Sequence, residues 1–121
     1  MNDRHFANFY LAGFSYYDGI DVLEQLNIGV PLTLKAEPEN PFDHNAVAIF
    51  FQGTHLGYVP KDENGLLSKF LRLGHTDLFE AKICQVSRDA FPEKQIRVMV
   101  RIVAKGAVGS QLTTQEQIVP K

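Results

Sequence analysis

Tyr16 and Tyr17 set two aromatic rings side by side just ahead of Asp18-Gly19, a turn-forming pair. Rings of this kind stack on planar ligands, and stacking on a nucleobase is worth about 1–3 kcal/mol per base. Neighbours on a strand point to opposite faces, so if extended backbone persists this far the two tyrosines cannot both be buried. Either ring alone is as well explained by a core position. Asp43 lies in Pro41-Phe42-Asp43-His44-Asn45 and brings a carboxylate acceptor into a loop. An aspartate there also closes turns on its own backbone, and Asn45 fits that structural role better than a ligand role. Arg97 and Arg101 fall on one face of an alternating run, with Lys82 and Arg88 in the segments before it. The group suits a phosphate backbone, although a solvated strand face is the commoner explanation for any one of these residues.

Other chemistries lack their residues. His5, His44, His55 and His75 sit in separate segments without the short spacings of a zinc site, and Cys84 is the single cysteine. No nucleophile elbow and no phosphate-cradling glycine loop occur. A metal-assisted nuclease built on Asp43 with His44 or Asp62 would need converging carboxylates, which are instead scattered through turns. The expectation is therefore a chain without catalytic machinery, cofactor or metal. A formal charge of −2 and a pI near 6.0 argue against broad electrostatic binding of duplexes and restrict any anion site to a small local patch. Single-cysteine usage points to a reducing, cytoplasmic setting, and no run approaches the ~18 apolar residues of a membrane span.

These residues must be held by a mainly β domain. Residues 9–14 read as a first strand. Residues 31–37 alternate, with Leu32, Leu34 and Ala36 on one face and Thr33, Lys35 and Glu37 on the other. Pro38 and Pro41 stop pairing. Residues 46–51 and 55–59 flank Gln52-Gly53-Thr54 as a hairpin. Pro60 to Asn64 supplies an acidic first turn for a helix carrying Leu66, Leu67, Phe70, Leu71 and Leu73 as an apolar stripe, stopped by Gly74. Alternation returns over 79–83 and 96–102, separated by a loop at 87–93, and Val22, Leu23, Leu26 and Ile28 suit a helical turn or two over 20–28. Six short strands with one or two helices favour a closed or partly closed OB-like barrel, since closure hides sheet edges. The expected division is an N-terminal tail over 1–7, one domain over 8–105 and a flexible Gly-, Ser-, Gln- and Thr-rich tail over 106–121.

The block Pro38-Glu39-Asn40-Pro41-Phe42-Asp43-His44-Asn45-Ala46-Val47-Ala48-Ile49, followed by Gly53, Leu56-Gly57-Tyr58-Val59-Pro60 and an apolar helix, resembles the HIRAN domain family. Ala12-Gly13-Phe14-Ser15-Tyr16-Tyr17-Asp18-Gly19 is similar to that family's first-strand motif. HIRAN domains occur at the front of eukaryotic helicase-like DNA-repair ATPases and as free-standing bacterial proteins, and the free-standing kind is the expectation here. The resemblance implies an OB-like barrel that binds single-stranded DNA, gripping a free 3′-hydroxyl end in helicase-like relatives. By this resemblance Tyr16 and Tyr17 match paired tyrosines at the terminal nucleotides. Asp43 matches an aspartate that accepts a hydrogen bond from the terminal hydroxyl, and Phe91 matches an aromatic that stacks on a base. The chain departs at two positions: Ser15 stands where better-understood relatives carry an arginine, and Tyr58 where one carries a histidine. Arg88 and Arg97 complete the candidate nucleic-acid contacts. The competing expectation is a protein-interaction adaptor that pairs a partner peptide with an exposed strand edge, or docks a DNA-processing protein.

Overall fold

A computed structural model describes residues 4–103 of the chain. In chain order the strands are β1 (His5–Tyr10), β2 (Pro31–Ala36), β3 (Val47–Phe51), β4 (Thr54–Tyr58), β5 (Phe79–Val86) and β6 (Ile96–Ile102), with one α-helix, α1 (Gly65–Arg72), between β4 and β5. They form a single antiparallel sheet in the order β1-β6-β5-β2-β3-β4. The sheet curls into an OB-like half-barrel. Its two ends meet where Ala12, just past β1, bridges Tyr58 at the end of β4.

Two-residue alternation places one face of each strand inward. Phe9, Leu32, Val47, Ile49, Leu56, Ala81, Ile83, Val98 and Val100 are buried, and Leu67 and Leu71 of α1 cover the same core. The β3–β4 hairpin turns on Gln52 and Gly53, with φ of 47° and 87°. That pair of positive angles matches the right-handed twist of the flanking strands. α1 ends in a Schellman arrangement. Gly74, at φ 96°, donates its N–H to Leu71 and His75 donates to Phe70, each at 3.1 Å, satisfying carbonyls at the helix end.

Several local expectations require correction. β1 begins at His5, inside the stretch assigned to a tail, and ends at Tyr10 instead of running to residue 14. Gly13 takes φ 71° and turns the chain into a 3-10 helix over Phe14–Tyr16, so the opposite-faces argument for Tyr16 and Tyr17 does not apply. The helical stretch expected at 20–28 is a 3-10 helix over Asp18–Gln25. The acidic residues before α1 form their own 3-10 turn, Lys61–Glu63. Leu66 and Leu73 lie outside the buried stripe and are exposed, while Ser68 is fully buried, because an eight-residue helix against a curled sheet presents only a narrow face. The tail assigned to 106–121 lies outside the described residues.

Candidate nucleic-acid interface

The loop between β2 and β3 is organised by one amide. The Asn40 Oδ1 accepts from the N–H groups of Phe42 (2.8 Å) and Asp43 (3.2 Å). Its Nδ2 donates to Glu37 Oε1 at 3.1 Å. Pro41 fits between because the turn asks it for no donor. The same Glu37 oxygen accepts the Tyr58 hydroxyl at 2.8 Å, so loop and barrel seam share one carboxylate. Burial first, and then the Glu37 carboxylate, push the Tyr58 phenol well above its ordinary range, and it stays a donor.

Asp43 is held from two sides. Its Oδ1 accepts from the Asn45 N–H at 2.9 Å, the turn-closing role that the sequence allowed. Its Oδ2 accepts from Asn64 Nδ2 at 2.8 Å. Asn64 is 2% exposed, immediately before α1, so the helix start fixes the direction in which the carboxylate points. The Asn45 N–H first, then the Asn64 amide, hold the Asp43 carboxyl below its ordinary value, with Lys61 and His44 adding favourable charge. Asp43 therefore remains an anionic acceptor with lone-pair capacity to spare.

Tyr17 is positioned by glycines. Phe14 is buried, and its ring occupies the space that a Cβ on Gly19 would need. Gly13 brings the turn so close that an added Cβ would lie 3.3 Å from the Tyr17 ring. Tyr17 then leans over His55, with ring centroids 4.2 Å apart, and edge-on to Tyr58 at 5.6 Å. His55 stacks in turn on Phe50 at 4.9 Å.

Tyr17, Asp43 and Tyr58 line one concavity of about 410 Å³, together with Ala12, Asn40, Phe42, Lys61 and Asn64. That volume lies within the range that holds a small ligand or one end of a larger one. Its walls bring together an aromatic face (Tyr17), an ionised acceptor (Asp43) and an ammonium group (Lys61).

The remaining candidates lie elsewhere. Ser15 is exposed. Tyr16 is 84% exposed and Phe91 76% exposed; both are outside the concavity, on neighbouring elements, since the 3-10 turn Pro92–Lys94 packs beside Phe14–Tyr16. Arg88 donates to the Leu23 carbonyl at 3.2 Å and to Asn27 Oδ1 at 3.3 Å. Arg97 lies over the Tyr10 ring, 4.7 Å from its centroid. Lys82 and Arg101 both pair with Glu80, so the basic stripe divides into parts with different partners. The sequence reading missed Glu37, Asn40, Lys61, Asn64 and Phe42, the last 89% exposed at the rim. Asn40 and Phe42 stood inside the motif already singled out; nothing in local sequence marked Glu37 or Asn64.

Among the described residues no helix is long and apolar enough to cross a membrane. The family model for the HIRAN domain matches residues 5–105. Among solved structures the chain is similar to a protein from Lactobacillus plantarum, with 19% identity and a TM-score of 0.63 over 80% of this chain and 94% of that one. It is also similar to the HIRAN domain of human HLTF, with 20% identity and a TM-score of 0.56 over 78% of this chain and 73% of that one. At these identities the likeness is one of fold. No curated protein matches the sequence.

Proposed function

Because the chain belongs to the HIRAN domain family, we propose that it is a single-stranded DNA-binding module that takes a free 3′ end into the Tyr17–Asp43 concavity and performs no reaction on it. The observation that carries this reading is the convergence of Tyr17 and Asp43, distant in sequence, on one concavity. The Tyr17 face stacks on the terminal base. Asp43, anionic and braced by Asn45 and Asn64, accepts a hydrogen bond from the 3′-hydroxyl and repels a 3′-phosphate. Tyr16 and Phe91, exposed on adjoining elements, offer faces to the nucleotides that follow.

The test is fluorescence anisotropy with a labelled ten-nucleotide strand ending in a 3′-hydroxyl, compared with its 3′-phosphate twin at low salt, for wild type and Tyr17→Ala. Tighter binding of the hydroxyl end, lost in the variant, supports the reading. Equal binding of both ends removes end recognition.

One observation favours a second reading, peptide docking at a strand edge. β2 pairs with β5 only at Pro31 and Leu32 and with β3 from Thr33 to Ala36. The register turns the peptide groups of Leu34 and Ala36 away from β3, into a concavity shared with Leu71 and Arg72. This is the geometry of strand addition. Recovery of no partner from nuclease-treated lysate by a protein that binds purified oligonucleotides would remove it.

A further inference from the structure

Lys94 and Arg97 converge on one ring. Tyr10 and Arg97 are cross-strand partners in the β1–β6 ladder, and the Arg97 guanidinium sits 4.7 Å from the Tyr10 centroid. The Lys94 ammonium lies 5.7 Å from the same centroid. A tyrosine face attracts cations through its quadrupole and fixes their positions, but it does not neutralise them. Lys82 and Arg101 both pair with Glu80, and among the described residues no carboxylate pairs with Lys94 or Arg97. Two like charges are thus gathered at one place in a chain whose formal charge is −2. Two such charges attract an anion more strongly than either does alone.

Its place in the fold says which anion. Phe9 and Leu11 are buried, so Tyr10 and Ala12 share the outward face of that segment, and Ala12 lines the Tyr17–Asp43 concavity. Lys94 ends the 3-10 turn that packs beside Phe14–Tyr16. The two cations therefore sit over Tyr10, two residues from the concavity's Ala12, and beside the turn that carries Tyr16.

We propose that Tyr10, Lys94 and Arg97 form a phosphodiester-binding platform that holds the backbone of the strand leaving the concavity. This rests on the single-strand reading above. Tyr10 is the positioning residue, and Lys94 and Arg97 are the contacts.

The salt dependence of binding tests it, using the full chain and the ten-nucleotide 3′-hydroxyl strand. Each lost phosphate contact makes the slope of log K against log salt shallower by about 0.7 for a single strand. Lys94→Gln/Arg97→Gln should therefore lose about 1.4, Arg97→Lys should recover the Arg97 share, and Tyr10→Leu but not Tyr10→Phe should weaken binding. Lys82→Gln/Arg101→Gln is the control for charge alone and should leave the slope unchanged. Discrimination between 3′-hydroxyl and 3′-phosphate ends should survive in Lys94→Gln/Arg97→Gln. The platform is overturned by an unchanged slope in that variant, or by an equal loss in the control. Loss of end discrimination in Tyr17→Ala with no effect on the slope separates the concavity from the platform, and a wild type that binds no strand overturns both.

Discussion

Ala12 and Tyr58 exchange two backbone hydrogen bonds, each 2.9 Å, and through this one pair the ends of the sheet meet. Gly57 makes the approach possible. A Cβ at that position would lie 2.5 Å from the Ala12 carbonyl oxygen, on a backbone at φ 157°. The seam is also a wall of the concavity, since Ala12 and Tyr58 both line it; the bridge that joins the ends of the curled sheet shapes the site as well.

Gly57→Ala should therefore open the seam. With each backbone bond worth about 0.5–1.5 kcal/mol net, the loss is about 1–3 kcal/mol, read as a lower urea midpoint at unchanged slope. DNA affinity should fall with it. A variant with wild-type stability would mean that the seam contributes little.

Gly19→Ala should be destabilised for a different reason. The added methyl falls within the Phe14 ring, so the ring must leave the core and carry the 3-10 turn of Tyr16 with it. Overpacking of this kind costs about 1–3 kcal/mol, and thermal unfolding would register it. A concurrent change in Tyr17 accessibility, followed by tyrosine quenching, would link the core to the site.

Tyr17→Ala should weaken single-strand binding by about 1–3 kcal/mol, the usual loss of one stacked base, while leaving the unfolding midpoint close to wild type because the ring is already partly exposed. Equilibrium anisotropy and urea denaturation on the same preparation separate the two effects.

Asp43 sets the sign of a pH dependence. Its folded carboxyl titrates below the ordinary 3.8, so its contribution to stability is present above that value and is lost as pH falls through the lower folded value. Binding of a 3′-hydroxyl end should accordingly be flat from about pH 5 to 8, since the carboxylate stays ionised, while discrimination against a 3′-phosphate should strengthen as that phosphate takes its second charge at about pH 6. Asp43→Asn should abolish that preference throughout the range and place an amide donor opposite Asn64. Retained preference in the variant would assign end selection to another group.

Glu37→Gln tests the shared brace. Hydrogen bonds to a charged group contribute about 1.5–3 kcal/mol, and this carboxylate serves both Tyr58 and Asn40. Glutamine keeps an acceptor but not the charge, so the variant should lose about 1 kcal/mol, the difference between charged and neutral acceptors, and bind DNA less tightly, whereas Lys35→Gln, on the exposed face of β2, should change stability little. Denaturation with paired anisotropy measurements checks both.

Local patterns in the sequence determined strands β2 to β6, the helix and its glycine stop, and the motif around Asp43, because periodicity and turn chemistry act over a few residues; β1 lies at His5–Tyr10, ahead of the 9–14 stretch that composition suggested. β2 and β6 lie where alternation placed them, and Gly74 ends α1 through bonds that its positive φ permits. The conformation of Phe14–Tyr16 was not legible, since Gly19 acts there by admitting the Phe14 ring and Gly13 by turning the chain at a positive φ beside the Tyr17 ring, contacts made only after the chain folds back. Tertiary structure alone decided which polar groups meet. Glu37 and Asn64 are unremarkable in sequence, yet one ties Tyr58 to the loop and the other aims Asp43. It also divided the basic residues, giving Lys82 and Arg101 to Glu80 and Arg97 to Tyr10. The physical reason is range: a strand's period is fixed by its own backbone, but the partner of a charge is chosen by whatever the curled sheet brings within a few ångströms of it.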